Sequence, residues 1–265
     1  MKDFENYSDR KTTQTRIRFL CFIGAVILLL SGCAVCMRLT PDRTYSAEER
    51  RMLSKRPSLT KKSVMSGKFQ RKYETYLSEQ FPGRTHFVTL RTRLTRLLGE
   101  REANGVYFGK DDYLLERYQT QDFDWKQVRK NVKRTASFLK EYPNADVLFV
   151  PVKSSALSQK LPMFAQIGGE AQFFDQVRQQ APRQQQIAVE DVLKAHDSEY
   201  IYYRTDHHWT TLGAYYAYEA WAKHMGFTPV PKEQFQVTPV TDTFMGTTYA
   251  KVRTGGKADT ISLYE

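Results

Sequence analysis

Asp206, His207, His208 and Trp209 stand in the run Tyr202-Tyr203-Arg204-Thr205-Asp206-His207-His208-Trp209-Thr210, which sets a carboxylate two positions from an imidazole. An Asp-x-His turn can hold one ring nitrogen against the carboxylate and leave the other free to accept a proton. That is the base half of a nucleophilic hydrolase or acyltransferase. A bland alternative is structural, with Asp206 capping a turn and His208 hydrogen-bonded in the core. The nucleophile half is harder to read. Cys21, Cys33 and Cys36 are the only cysteines and share one apolar N-terminal run, so a thiol nucleophile, a disulfide and a cysteine-built zinc site are all excluded outside it. Ser154 and Ser155 are the serines best placed, just after an expected strand ending at Val152. Paired histidines beside an aspartate are also metal-ligand types, yet His86, His196 and His224 sit at no recognisable ligand spacing, so no metal and no other cofactor is expected.

Arg204 lies two residues before Asp206, where a guanidinium can steady an anionic substrate or pair with a carboxylate. Lys110 and Thr205 are softer candidates. Gly246, in Phe244-Met-Gly-Thr-Thr-Tyr249, suits a turn that needs positive φ.

The elements that must position these residues follow from pattern. Asn104 to Glu116 reads as two short strands joined by a turn at Gly109 to Asp112. Asp124 is a helix cap, Val128, Val132, Ala136, Phe138 and Leu139 form an approximate apolar stripe, and Pro143 enforces a stop. Strands are expected at Ala145–Val152, around Ile187 and at Ile201–Tyr203, with helices from Glu170 to about Gln180, around Val192 to Ala195, and from a Thr210 or Thr211 cap to about Met225. Strands alternating with helices imply a three-layer α/β fold with a mostly parallel sheet, whose strand exits carry the chemistry. The last residues, Thr260 to Glu265, look like a strand entering that sheet, so the fold is expected to be incomplete at the C-terminus.

From Phe19 to Met37 no charge interrupts an apolar run, and about 20 such residues are what a helix needs to cross a bilayer. Arg10, Lys11, Arg16 and Arg18 precede it, which keeps the N-terminus cytoplasmic and the remainder extracytoplasmic. Leu30-Ser31-Gly32-Cys33 resembles a lipoprotein cleavage box, which makes a lipid anchor at Cys33 the alternative. Residues 1–18 are then a cytoplasmic basic tail, 19–37 the anchor, 38–102 a basic juxtamembrane helical region, and 103–265 the main domain. Within the juxtamembrane stretch, Ser46 to Leu53 and Phe69 to Leu77 look like helical turns of mixed charge. The chain has a formal charge of +11, and its basic stretch from Arg38 to about Arg101 reads either as solvated helix faces or as a cationic surface for anionic lipid or wall polymer rather than nucleic acid, because that stretch lies outside the cell and no nucleic-acid motif accompanies it. With 41% hydrophobic and 13% aromatic residues, extensive disorder is not expected.

The run Asp206-His207-His208-Trp209 resembles the signature of the bacterial DHHW protein family, together with Phe81-Pro82-Gly83-Arg84, Asn104-Gly105-Val106 and Gly109-Lys110-Asp111-Asp112-Tyr113-Leu114. More distantly the chain is similar to the SGNH-hydrolase-like domains of the alginate O-acetylation proteins. The resemblance implies an SGNH-hydrolase-like fold and an O-acetyltransferase or esterase acting on an envelope polysaccharide beside a membrane-bound O-acyltransferase partner. It assigns His208 as general base, Asp206 as its orienting carboxylate within hydrogen-bond reach, and Trp209 as a packing residue next to the site; His207 has no role in that mapping and is free to point into substrate or solvent, so that Arg204, His207 and Trp209 are the candidate substrate contacts. Those relatives carry a Gly-Asp-Ser nucleophile downstream of the histidine motif, and Gly-Asp-Ser occurs nowhere here. A non-catalytic glycan-binding or scaffold protein is the other reading.

Overall fold

The computed structural model describes residues 2–265, with side chains from residue 15 onward. It divides into two compact units, the first ending at Phe87 and the second running from Val88 to Glu265. The first opens with α1 (Lys2–Leu39). Its stretch Thr15–Leu39, 25 residues long, holds an 18-residue window of mean hydropathy 2.7 with none of it buried, and is the one described helix long and apolar enough to cross a membrane. This is consistent with a single-pass anchor that leaves the C-terminal domain extracytoplasmic. Arg10 and Lys11 of the expected cytoplasmic tail lie outside the residues whose side chains are described.

Where a helical turn was expected after Ser46, the chain forms a hairpin of β1 (Tyr45–Ser46) and β2 (Arg51–Met52). The Ser46 hydroxyl accepts from the Glu49 amide at 3.1 Å and Arg50 takes φ 51°, so the segment turns back instead of winding on. Next come α2 (Lys61–Met65), started by a Thr60 and Ser63 capping box, and α3 (Lys68–Gln80), which matches the helix read at Phe69 to Leu77. α4 (Arg84–Leu97) holds the division between the units.

In the second unit β3 (Glu102–Ala103), β4 (Val106–Phe108) and β5 (Leu114–Glu116) make a small antiparallel sheet, with the expected turn at Gly109 to Asp112. α5 (Trp125–Glu141) is capped by Asp124, whose Oδ1 accepts from the amides of Lys126 and Gln127. Val132, Ala136 and Leu139 form its buried stripe, while Phe138 is exposed. β6 (Val147–Phe149) leads into α6 (Lys153–Ala156), and α7 (Glu170–Gln180) precedes β7 (Gln186–Ala188), which pairs with β6 in parallel. Phe149, Phe174, Val177, Val132 and Leu139 form one core here. α8 (Val189–Ala195) and α9 (Thr211–His224) close a second around Leu157, Leu193, Ile201 and Tyr216. β8 (Val237–Phe244), α10 (Thr247–Val252) and β9 (Asp259–Tyr264) complete the unit.

The expected three-layer, SGNH-hydrolase-like arrangement with a mostly parallel sheet does not form. Among the described residues there are four small sheets, and only the β6 and β7 pair is parallel. Two misread segments explain the difference. Ile201–Tyr203 adds no strand to a sheet: Tyr202 makes an isolated antiparallel bridge to Trp209, so the segment folds back on its own loop. The C-terminal run, read as entering a parallel sheet, pairs antiparallel with β8, Val237 opposite Tyr264 and Phe244 opposite Asp259. Alternation of apolar runs with helices marks burial and does not specify which strands pair.

Candidate active site

The loop carrying Asp206 is closed at its base by short-range bonds. Thr210 donates its amide to Ile201 O at 2.9 Å and its hydroxyl to Tyr200 O at 2.6 Å, while that hydroxyl accepts from the Gly213 amide to start α9. Tyr203 N donates to His208 O at 3.2 Å, closing residues 203–208 into a tight turn. A Cβ on Gly213 would stand 2.3 Å from Ile201 O, so only glycine lets α9 start this close.

Two buried polar side chains then fix the loop, one by accepting and one by donating. Asp259, fully buried, accepts from the amides of Arg204 (2.6 Å) and Thr205 (2.8 Å) and from the hydroxyls of Thr205 and Tyr200. Lys153, 2% exposed, donates Nζ to the carbonyls of Asp206 (2.5 Å), Tyr203 (3.1 Å) and Arg204 (3.3 Å). Asp259 accepts and Lys153 Nζ donates, so between them they take up the donors and acceptors that a buried loop cannot leave unpaired.

On this frame Asp206 and His208 meet. Asp206, 3% exposed, accepts at Oδ1 from the His208 amide (3.0 Å) and from His208 Nδ1 (2.5 Å), and at Oδ2 from the Thr247 amide (2.7 Å) and hydroxyl (2.8 Å). Burial by itself raises a carboxyl pKa. Here the amides of Thr247 and His208, with the Thr247 hydroxyl and the imidazole, hold Asp206 well below the usual carboxylate range, so it is ionised at neutral pH. An ionised acceptor selects the Nδ1–H tautomer of His208 and leaves Nε2 as the basic nitrogen. The His208 side chain is 66% exposed, and Nε2 makes no hydrogen bond among the described residues. His207 sits over His208 with ring centroids 4.0 Å apart and its Nδ1 2.9 Å from Thr247 Oγ1. Because that hydroxyl already donates to Asp206, it accepts from His207, which turns the second Nε2 outward as well.

Asp206, His207 and His208 offer three metal-ligand atoms within 4.8 Å of one another. Ligands about 2.0–2.1 Å from a tetrahedral zinc stand roughly 3.3 Å apart. The 2.5 Å between Asp206 Oδ1 and His208 Nδ1 is instead a charge-assisted hydrogen bond.

The other sequence candidates lie apart from this dyad or in its frame. The Ser154 hydroxyl is buried and donates to Glu116 O at 2.5 Å, and Ser155 lines an apolar cavity of about 300 Å³ with Tyr118, Phe123 and Phe174. Neither serine is hydrogen-bonded to His208 among the described residues. The Arg204 guanidinium lies over the rings of Tyr200 (4.6 Å) and Tyr113 (5.6 Å). Trp209 packs half-buried against the core around Ile201. Thr205 is wholly buried and belongs to the Asp259 bonds. Gly246 has φ −83°, not the positive φ expected of it. Its requirement is space, since a Cβ there would meet Asp206 Cβ at 2.3 Å and Oδ2 at 2.5 Å. Lys153, Asp259 and Thr247 escaped the sequence reading because their partners are 41 to 59 residues away in the chain.

Burial pushes Lys153 down to about 7, against the pull of Asp259, Asp206 and Glu116. Its folded pKa thus lies below the ordinary lysine value of 10.5. Between those values the unfolded chain binds the extra proton, so stability rises with pH there by at most ~1.4 kcal/mol per unit. Urea unfolding of wild type and Lys153→Met at pH 7 to 9.5 is expected to show this rise in the wild type and its loss in the variant. Equal slopes would mean that Lys153 keeps its ordinary pKa.

Residues 180–265 match the family model described as DHHW protein, which bears out the resemblance read from Asp206–Trp209. No curated protein matches the chain. Among solved structures it is similar to a DHHW family protein from Eubacterium siraeum, at 23% identity over 62% of this chain and 55% of that one, with a TM-score of 0.48. It is also similar to Bacillus cereus PatB1 carrying a sulfonyl adduct (18%, 62% and 56%, TM-score 0.47) and to the O-acetyltransferase domain of Pseudomonas putida AlgJ (18%, 61% and 64%, TM-score 0.47). The chain thus spans about half to two thirds of the length of these structures. Its segment 180–265 is thus DHHW-like and carries the Asp206–His207–His208 cluster, beside which no serine hydroxyl is hydrogen-bonded to His208 among the described residues, and its N-terminal helix is consistent with a membrane anchor.

Proposed function

We propose, from the premise that residues 180–265 are DHHW-type, that this chain carries the base of an extracytoplasmic O-acyl transfer or ester-cleavage site acting on envelope polysaccharide. The observation that carries the reading is the 2.5 Å bond between ionised Asp206 and His208 Nδ1, with the opposite ring nitrogen turned to solvent. In the step this supports, Nε2 of His208 takes the proton of an attacking hydroxyl as its oxygen bonds to the acyl carbon, then returns that proton to the departing oxygen. Asp206 stabilises the imidazolium between the two events. An exposed base suits a hydroxyl presented by a polymer or a partner protein. His207 and Trp209 flank His208 as candidate glycan contacts, and Arg204 with its aromatic neighbours forms the adjoining wall. The acyl group, consumed outside the cell, has to cross the membrane, which fits a membrane-bound O-acyltransferase as partner.

One observation favours the alternative, a glycan-binding or scaffold role: among the described residues no serine hydroxyl is hydrogen-bonded to His208, and that of Ser154 is committed to Glu116 O. Purified full-length protein and His208→Ala, compared on an aryl acetate and on acetylated polysaccharide, separate the two readings. Positioned general bases contribute about 10²–10⁴ in rate, and the exposed dyad is expected at the low end, a loss of about a hundredfold in the variant. Unchanged turnover with undiminished glycan binding would leave the scaffold role.

A further inference from the structure

Two adjoining depressions of the first unit meet at Arg56. One is a groove of about 540 Å³ against the last turns of α1, lined by Leu30, Cys33, Ala34 and Met37. These residues recur at the spacing of one helix face and lie in the half of Thr15–Leu39 nearer its C-terminal end, at acyl-chain depth if the helix spans a bilayer. Its other wall is Tyr73, Tyr76 and Leu77 of α3, and its upper end holds Arg38 and Arg56. Asp42 also lies there, but its Oδ1 accepts the Tyr76 hydroxyl at 2.7 Å. The second depression, about 470 Å³, is lined by Lys55, Arg56, Arg71 and Lys72 and by no carboxylate. None of these four cations forms an ion pair among the described residues, whereas the neighbouring Arg51 and Arg84 are paired with Glu49 and Glu79 or with Glu49 alone.

We propose that this composite site binds one anionic phospholipid of the outer leaflet, its phosphate in the Lys55–Arg56–Arg71–Lys72 cleft and an acyl chain along the Leu30–Met37 face of α1. Two features select a lipid over a soluble polyanion. The cationic cleft opens onto an apolar groove through a shared residue, and that groove is built on the membrane-crossing helix itself, where phosphate and hydrocarbon occur together. Unpaired cations at this depth attract anionic headgroups, and Tyr73 and Tyr76 are residues that favour the interface. Such a lipid would hold α3 against α1 at the membrane surface. This inference does not depend on the acyl-transfer reading.

The test uses the full chain in nanodiscs of phosphatidylcholine with a minority of phosphatidylglycerol, and native mass spectrometry of the lipid that stays with the released protein. Retained phosphatidylglycerol is expected to exceed its bulk share roughly tenfold. It should fall to the bulk share in K55Q/R56Q/R71Q/K72Q, all solvent-facing positions where folding is not at stake. A matched control, K126Q/K130Q/K133Q/K140Q on α5, should keep the enrichment. Ala34→Phe, which fills the groove and leaves every charge in place, should lose most of it. An equal loss in the α5 control would reduce the effect to net charge, and full enrichment in Ala34→Phe would remove the acyl groove. Displacement of the lipid by soluble inorganic triphosphate at equal concentration would make the cleft a polyanion site. Each of those three results overturns the proposal.

Discussion

Asp259→Ala is expected to lower the unfolding free energy by about 4 kcal/mol, far more than an ordinary point change. The carboxylate is fully buried and accepts from two backbone amides and two hydroxyls, those of Arg204, Thr205, Thr205 and Tyr200. Truncation leaves these donors without an acceptor, at about 1–3 kcal/mol for each that water cannot reach. The loss should be local as well as global. Thr205 also accepts from the Gly246 amide and, through its carbonyl, from the Tyr249 amide, so the loop before Asp206 and the start of α10 release together. Hydrogen exchange at Arg204, Thr205, Gly246 and Tyr249 should accelerate in concert. Asp259→Asn keeps an acceptor oxygen and should recover part of the stability. A loss below about 1 kcal/mol would mean that the loop holds its shape without this residue.

Gly246→Ala is expected to abolish the dyad while sparing the second unit's core. The added methyl would stand 2.3 Å from Asp206 Cβ and 2.5 Å from Oδ2, and Asp206 Cα lies only 2.7 Å away, so no side-chain rotation makes room. Either the carboxylate leaves its bonds to Thr247 or the backbone at 246 and 247 retreats, and both detach Asp206 from the amide and hydroxyl that keep it ionised. Overpacking of this kind costs about 1–3 kcal/mol, and the lost carboxylate bonds bring the total to roughly 3 kcal/mol. Turnover on an acetyl ester should drop to the level of His208→Ala, and combining the two changes should add nothing further, since residues that act as a unit are not additive. An alanine variant with wild-type turnover would show that the close approach at Gly246 has no bearing on the base.

Much of the local structure was legible from single residues whose effect is short-ranged. The Asp124 and Thr210 caps, the limits of α7 and the turn after Gly109 each depend on neighbours within a few positions. The Asp206–His208 contact was legible for the same reason, as a bond across two residues. Sheet topology was not. Ile201–Tyr203 has the composition of a buried strand, and it is buried, but its partner is its own loop at Trp209. Nothing in the residues 259–264 says that they pair antiparallel with 237–244. The frame of the site was hidden by distance in the chain: Lys153 comes before the loop it holds, Thr247 and Asp259 well after it, and each is a lone polar residue with no pattern around it. The strand before Ser154 and Ser155 ends at Phe149, short of the expected Val152, and of the residues that follow it Lys153 is the one that reaches the loop.

The central claim is that Asp206 fixes His208 with its proton on Nδ1 and leaves Nε2 open as the base. The most direct test is nitrogen NMR of the histidine side chains in the full-length protein, with His208→Gln for assignment. The expected result is that neutral His208 is the Nδ1–H tautomer, with a strongly deshielded Nδ1 proton that disappears in Asp206→Asn. A His208 found as the Nε2–H tautomer, or unchanged by Asp206→Asn, would contradict it.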